Sequence, residues 1–330
     1  MPYTLFAHFQ KGKGVSLDAE TRAFVQKAMA AASKPRHLMT TAEAREAFGR
    51  ITAILAPGPE MARVASLAIP VDGAELPAQL YLPREKPGAL LVYLHGGGWV
   101  VGGLTAFDPL CRELAAGAGV AIISVEYRKA PEHPFPIPLH DAWQATQWVA
   151  ARQRELLDTS LPLMVGGDSA GANLAIGTTM LARREGGVRL SGQLLIYPVA
   201  DCRFDRASYL DPENQLLTDS DVMKWYWQQY APSVSDRLSG LAAPCREADL
   251  SGLPPAIVMT AEHDVLRDEG QEYAERLRQA GVAVQHHCAA GQMHGFLMMN
   301  GVLPGSREGL RNICGSLRRL AGDANQQASC

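Results

Sequence analysis

The chain has 330 residues, 47% apolar and 20% charged, an ordinary globular composition with room for one large domain or two smaller ones. A formal net charge of −3 offers no electrostatic reason to bind nucleic acid or an anionic membrane surface, and no apolar run approaches the ~20 residues that span a bilayer. The opening Met1-Pro2-Tyr3-Thr4-Leu5-Phe6 has no basic stretch before an apolar core, so no secretory signal is expected, and six cysteines without a CxxC pair fit reduced thiols in a cytoplasmic protein without a metal site.

In chain order, residues 16–32 and 40–55 read as helices. The second opens on Thr40-x-x-Glu43, a capping box, and stops at Pro57-Gly58-Pro59. Two strand-like runs, 61–71 and 76–82, meet at Asp72-Gly73, a hairpin signal. From residue 89 the pattern changes. Near-continuous apolar runs at 89–94, 119–125, 161–166, 190–197 and 255–260 alternate with helical stretches such as 140–153, 170–184 and 267–280. Runs of that kind suit strands buried on both faces, so the fold class is α/β, with a mostly parallel sheet between layers of helices. Residues 283–288 read as a last strand and 306–320 as a last helix, and the polar tail from Gly322 to Gln327 is expected to fray. Residues 201–240 break the alternation. They hold little strand signal, a helix start at Thr218-Asp219-Ser220-Asp221, and then Met223, Trp225, Tyr226 and Trp227. This reads as an insertion whose aromatics either pack on the sheet or wall a pocket.

Gly167-Asp168-Ser169-Ala170-Gly171 matches G-x-S-x-G and lies between an apolar run and a helical stretch, the strand–turn–helix setting in which a serine becomes a nucleophile. A serine needs a base, and the base an orienting acid. In this type of fold the chain order is serine, acid, histidine. Asp264 falls just past the 255–260 run. Of the three histidines downstream, His286 and His287 lie within a strand pattern, whereas His294 lies on the loop after it and is the better base. His8, His37, His133 and His140 read as structural or solvated. His95-Gly96-Gly97-Gly98-Trp99 follows the 89–94 run. Three consecutive glycines are costly to order, a cost explained if the backbone N–H groups of Gly97 and Gly98, with that of Ala170, converge on a tetrahedral oxyanion. His95 reads as a loop organiser bonded to backbone, and Asp168 as a brace of the turn.

Together HGGGW at 95–99, YRKAPEHPFP at 127–136, GDSAGANLA at 167–175, DVLRDEG at 264–270 and MHGF at 293–296 resemble the hormone-sensitive-lipase family of α/β-hydrolases, in its bacterial carboxylesterase branch. The resemblance implies the α/β-hydrolase fold, Ser169, Asp264 and His294 as triad, Gly97, Gly98 and Ala170 as oxyanion donors, a small-molecule ester as substrate, and no cofactor. It also implies a helical cap built from residues 1–55 and 201–240 over a core of 56–200 and 241–330. Lys129 stands where the family usually has leucine, and Ala172 where a second glycine is common. Asp268 and Glu269 read as first-turn helix carboxylates favoured by the helix dipole. Trp99, Val100, Phe204, Leu216, Leu217, Trp225 and Tyr226 are candidates for a pocket narrow enough to favour short- to medium-chain acyl groups. A homodimer through the sheet edge near 283–288 also follows from the resemblance. The residues leave open an amidase or lactam hydrolase with the same triad, and a non-catalytic receptor on the same fold.

Overall fold

The computed structural model describes residues 16–329, so His8 and the first part of the 1–55 segment lie outside the described residues. The hairpin forms at Asp72-Gly73, joining β1 (Arg63–Val71) to β2 (Ala74–Leu82) in antiparallel register. Every later strand runs parallel: β3 (Leu90–Leu94), β4 (Ala121–Val125), β5 (Leu163–Asp168), β6 (Gly192–Ile196), β7 (Ala256–His263) and β8 (Val284–Met293). The eight strands form one sheet in the order β1-β2-β4-β3-β5-β6-β7-β8.

Continuous apolarity means burial on both faces here. All residues of β3, β4 and β6 are buried, and side chains alternate between two apolar layers. Leu90, Val92 and Leu94 join one layer with Leu139 of α4 (Ile137–Leu157), Leu174 of α5 (Ala170–Glu185) and Tyr273 of α9 (Arg267–Gln279). Leu91 and Tyr93 join the other, with Phe107 of α3 (Leu104–Ala118) and Ile313 of α10 (Pro304–Ser329). The sequence reading names no helix between 94 and 119. Pro109 inside α3 and Gly117 near its end interrupt the pattern, while its buried face of Phe107, Leu110, Cys111 and Leu114 holds it on the sheet.

The expected fraying of the tail is corrected: α10 continues to Ser329. Asn325 Nδ2 donates to the carbonyls of Gly88 and Ala321 at 2.8 Å each, tying the polar end to the loop before β3. The last strand is also longer than read. It extends past residue 288 to Met293, across a register shift opposite Ala261–His263 where Glu262 accepts from the Gly291 N–H at 2.7 Å.

At the N-terminal side, α1 (Ala19–Ala31) is capped by Asp18, and α2 (Thr41–Gly49) by the Thr40–Glu43 capping box before a 3₁₀ turn at Arg50–Ile54. The 201–240 stretch contains α6 (Ala207–Leu210), α7 (Ser220–Tyr230) and α8 (Val234–Leu238), with Asp219 capping α7 through the Val222 N–H. The two regions meet each other and the strand ends. Arg36 donates to the Tyr226 hydroxyl at 3.2 Å, Arg45 to the carbonyls of Val100 and Ala130, and the Asp18 N–H to the carbonyl of Gly291. Among the described residues no helix is long and apolar enough to cross a membrane.

One buried amide ties α5 to the chain on either side of the insertion. Asn173 on α5 donates through Nδ2 to the carbonyls of Val199 (3.1 Å) and Ala242 (2.8 Å). Asn173→Leu leaves both carbonyls without that donor and is expected to lower unfolding stability by about 2 kcal/mol or more, read as a fall in the urea midpoint at unchanged m-value.

Candidate active site

The turn from β5 into α5 is shaped by what is missing. A Cβ at position 171 would lie 1.9 Å from the Leu94 carbonyl oxygen and one at 167 would lie 2.2 Å from it, so only glycine lets this turn press against the end of β3. Ser169 between them takes φ 54° and ψ −119°, a strained conformation for a non-glycine residue. Its N–H donates to the Ile196 carbonyl at 2.8 Å, and its carbonyl accepts from Asn173 N at 3.1 Å. The side chain stands at the N-terminus of α5, where unpaired N–H groups and the helix dipole favour negative charge.

Ser169 Oγ lies 3.0 Å from His294 Nε2, and His294 Nδ1 lies 2.7 Å from Asp264 Oδ2. Asp264 leaves the end of β7, its side chain buried, and its other oxygen accepts from the Leu266 N–H at 2.9 Å, which fixes the carboxylate plane. An ionised carboxylate only accepts, so Nδ1 carries the proton and Nε2 presents its lone pair to the serine hydroxyl. His294 sits directly beyond β8 and ahead of a 3₁₀ turn at Phe296–Met299, as its loop assignment requires. His286 and His287 lie within β8 and bond instead to Thr260 Oγ1 and Ser316 Oγ.

The glycine loop is tied to the serine turn through Asp168, whose Oδ1 accepts from the Gly96 N–H and the Tyr93 hydroxyl, both at 2.8 Å. Burial pushes this carboxyl up to about 6, against the pull of those two hydrogen bonds. His95 Nδ1 donates to the Gly96 carbonyl at 2.8 Å, and the ring stacks on Tyr127 at 4.4 Å. Burial lowers His95 to about 4, so it is neutral at physiological pH and organises the loop, as read from the sequence. Gly98 has φ +58°, and a Cβ there would lie 2.2 Å from the Tyr226 ring. The missing side chain thus makes room for α7.

The residues read as pocket wall divide between the two apolar layers. Trp99 is buried, stacked parallel on Tyr230 (4.0 Å, 3°) and edge-on to Trp227 (5.1 Å), in an aromatic cluster linking the glycine loop to α7. Val100, Tyr226, Phe204 and Trp225 share that layer, with Phe204 against Tyr209 and Trp225 against Tyr226. Leu216 and Leu217 belong to the other layer with Tyr197, Met293 and Phe296. Asp268 and Glu269 do open α9, but as tethers. Asp268 accepts from the Ser208 N–H at 2.7 Å, and Glu269 from the N–H groups of Ala200 (2.8 Å) and Asp201 (3.3 Å). Burial raises the Glu269 carboxyl well above the usual range. Sequence reasoning missed Tyr197, whose ring centroid lies 4.7 Å from that of His294. Its one signal was its place at the end of the 190–197 run, on the sheet edge that carries Ser169 and Asp264.

Residues 91–298 match the protein family described as alpha/beta hydrolase fold. Carboxylesterase NlhH of Mycobacterium tuberculosis is 39% identical over 268 residues, 79% of this chain and 83% of that protein. The ethyl acetate hydrolase of Pseudomonas putida is 36% identical over 318 residues, 92% and 99% of the two chains. The solved structure of a hyperthermophilic esterase from the archaeon Pyrobaculum calidifontis matches with a TM-score of 0.86 at 36% identity, over 93% of this chain and 99% of that one. The fold and these relatives define a carboxylic ester hydrolase of the α/β-hydrolase class. Within that class the chain belongs to the hormone-sensitive-lipase-like family, in its esterase branch.

Gly98→Ala places a methyl group against Tyr226 and strains the glycine loop; kcat/KM is expected to fall about 100-fold, with part of the loss recovered in Gly98→Ala/Tyr226→Ala, measured on p-nitrophenyl acetate.

Proposed function

We propose that the chain hydrolyses small esters of short- to medium-chain acids through an acyl-enzyme on Ser169. The observation that carries this reading is the hydrogen-bonded chain from Ser169 Oγ to His294 Nε2 (3.0 Å) and from His294 Nδ1 to Asp264 Oδ2 (2.7 Å). His294 takes the hydroxyl proton as Ser169 Oγ bonds to the ester carbonyl carbon. The carbonyl electrons move onto oxygen, where the N–H groups of Gly97, Gly98 and Ala170 receive the charge. Asp264 keeps the imidazole in its Nδ1–H tautomer and stabilises the imidazolium. Collapse of the intermediate expels the alcohol, protonated by His294, and leaves the acyl group on Ser169. Water, deprotonated by His294, then repeats the sequence and releases the acid.

The short-acyl preference draws support from the tight packing of Trp99 and Tyr226 around the glycine loop and from the relative named an ethyl acetate hydrolase. Residues 1–55 and 201–240 act as the cap of this reading, supported by the Arg36–Tyr226 hydrogen bond above the loop. The homodimer through 283–288 is supported by the position of β8, which is the edge strand of the sheet among the described residues.

Ser169→Ala is expected to fold normally and lose about four or more orders of magnitude in kcat; wild-type turnover in that variant contradicts the reading. Across p-nitrophenyl esters from acetate to palmitate, kcat/KM is expected to peak at short chains, and a maximum at palmitate refutes the narrow pocket.

A further inference from the structure

Tyr197 directly follows β6 and precedes Pro198. Its backbone has φ +34°, a conformation rare for so large a residue. Its side chain is buried, and its hydroxyl has no hydrogen-bond partner among the described residues. A strained backbone and a stranded hydroxyl both cost stability, so the position of the ring calls for a compensating role. The ring centroid stands 4.7 Å from that of the His294 imidazole, with planes at 59°, and 6.1 Å from Phe296. The neighbouring Ile196 carbonyl accepts the Ser169 N–H, and Tyr197 N donates to the Met259 carbonyl. One short segment therefore holds both the serine turn and an aromatic ring against the histidine.

We propose that Tyr197 is a positioning residue whose ring supports the imidazolium of His294. The proposal rests on the reading of Ser169 as nucleophile and His294 as base. A cation within about 6 Å of an aromatic centroid is attracted by the negative face of the ring, whereas a neutral imidazole gains much less. His294 is neutral before reaction and cationic once it holds the serine proton. The attraction therefore grows toward the transition state and raises kcat rather than tightening substrate binding. The ring also limits rotation of the imidazole between its two hydrogen-bond partners. The groups facing the imidazole are Asp264 on Nδ1, Ser169 on Nε2, the buried Asp168 carboxyl, whose charge interacts with it, and the Tyr197 phenol. Burial and the nearby carboxylates hold that phenol well above its usual range, so it stays un-ionised and the ring carries no charge of its own.

The test grades the ring's electrostatics at nearly constant shape. Tyr197 is replaced by phenylalanine, 4-fluorophenylalanine, 3,5-difluorophenylalanine and pentafluorophenylalanine, each checked for a wild-type melting curve and for labelling of Ser169 by an organophosphonate. Phenylalanine keeps the face and removes the stranded hydroxyl, so kcat is expected within about 3-fold of wild type. Successive fluorination is expected to lower kcat by about 2- to 30-fold in total with little change in KM. It also weakens support for the protonated imidazole, so the acid limb of the kcat/KM profile moves to lower pH in step. Tyr197→Leu, which keeps an apolar side chain without a π-face, is expected at the low end of that series. Flat rates and an unmoved acid limb across folded, labelled variants overturn the proposal while leaving the serine mechanism standing. Failure of the wild type to be labelled at Ser169 overturns both.

Discussion

Two loops that belong to different strands are held together by one buried carboxyl. Asp168 closes β5 and accepts hydrogen bonds from the Gly96 N–H and the Tyr93 hydroxyl, so the glycine loop after β3 cannot shift without disturbing the serine turn after β5. On the proposed mechanism the site needs that coupling, because an oxyanion pocket works only if donors from both loops meet at one point to within a few tenths of an ångström. Burying the carboxyl is expensive, as its upward shift to about 6 shows. Its hydrogen bonds offset part of that cost and give the loops a common reference. The close approach of residues 167 and 171 to the Leu94 carbonyl reinforces the same junction by shape.

The other half of the site is placed by an irregularity in an otherwise regular ladder. β7 and β8 pair in register from Ala256 to Ala261, slip, and pair again at His263 and Met293. The slip is pinned by Glu262 on the Gly291 N–H, and beyond it Asp264 and His294 leave their strands within hydrogen-bonding distance. Asp18 at the start of α1 bonds to the same stretch through Gly291 and Gln292, so the N-terminal helix is fastened to the chain that carries the histidine. A register shift is a common device for re-aiming side chains at the edge of a sheet.

Much of this was legible in residue order alone. The doubly buried strands announced themselves as unbroken apolar runs, the hairpin as Asp-Gly, and the serine, acid and histidine as punctuation at three strand ends. What stayed hidden has physical causes. α3 was unreadable because Pro109 sits inside it, and its stability comes from packing on the sheet rather than from local preference. The end of α10 looked frayed because its anchor, Asn325 on the Gly88 carbonyl, joins positions 237 residues apart. Asp268 and Glu269 looked like ordinary first-turn acids, since nothing local reveals that their partners lie at Ser208 and Ala200. The packing of the candidate wall residues was the least legible part, because Trp99 belongs to a cluster with Tyr230 and Trp227 that exists only once the insertion has folded against the loop.

The sheet order carries a consequence for how the molecule comes into being. From β5 onward the strands are laid down side by side in the order of synthesis, and the imidazole follows the outermost of them. A chain still emerging from the ribosome can complete the serine turn and the glycine loop long before residue 294 appears. Until then, on the mechanism proposed above, the hydroxyl lacks its proton acceptor and the nascent chain carries the outline of the site without its base. On the proposed mechanism, docking the final strand is what brings the base to the serine.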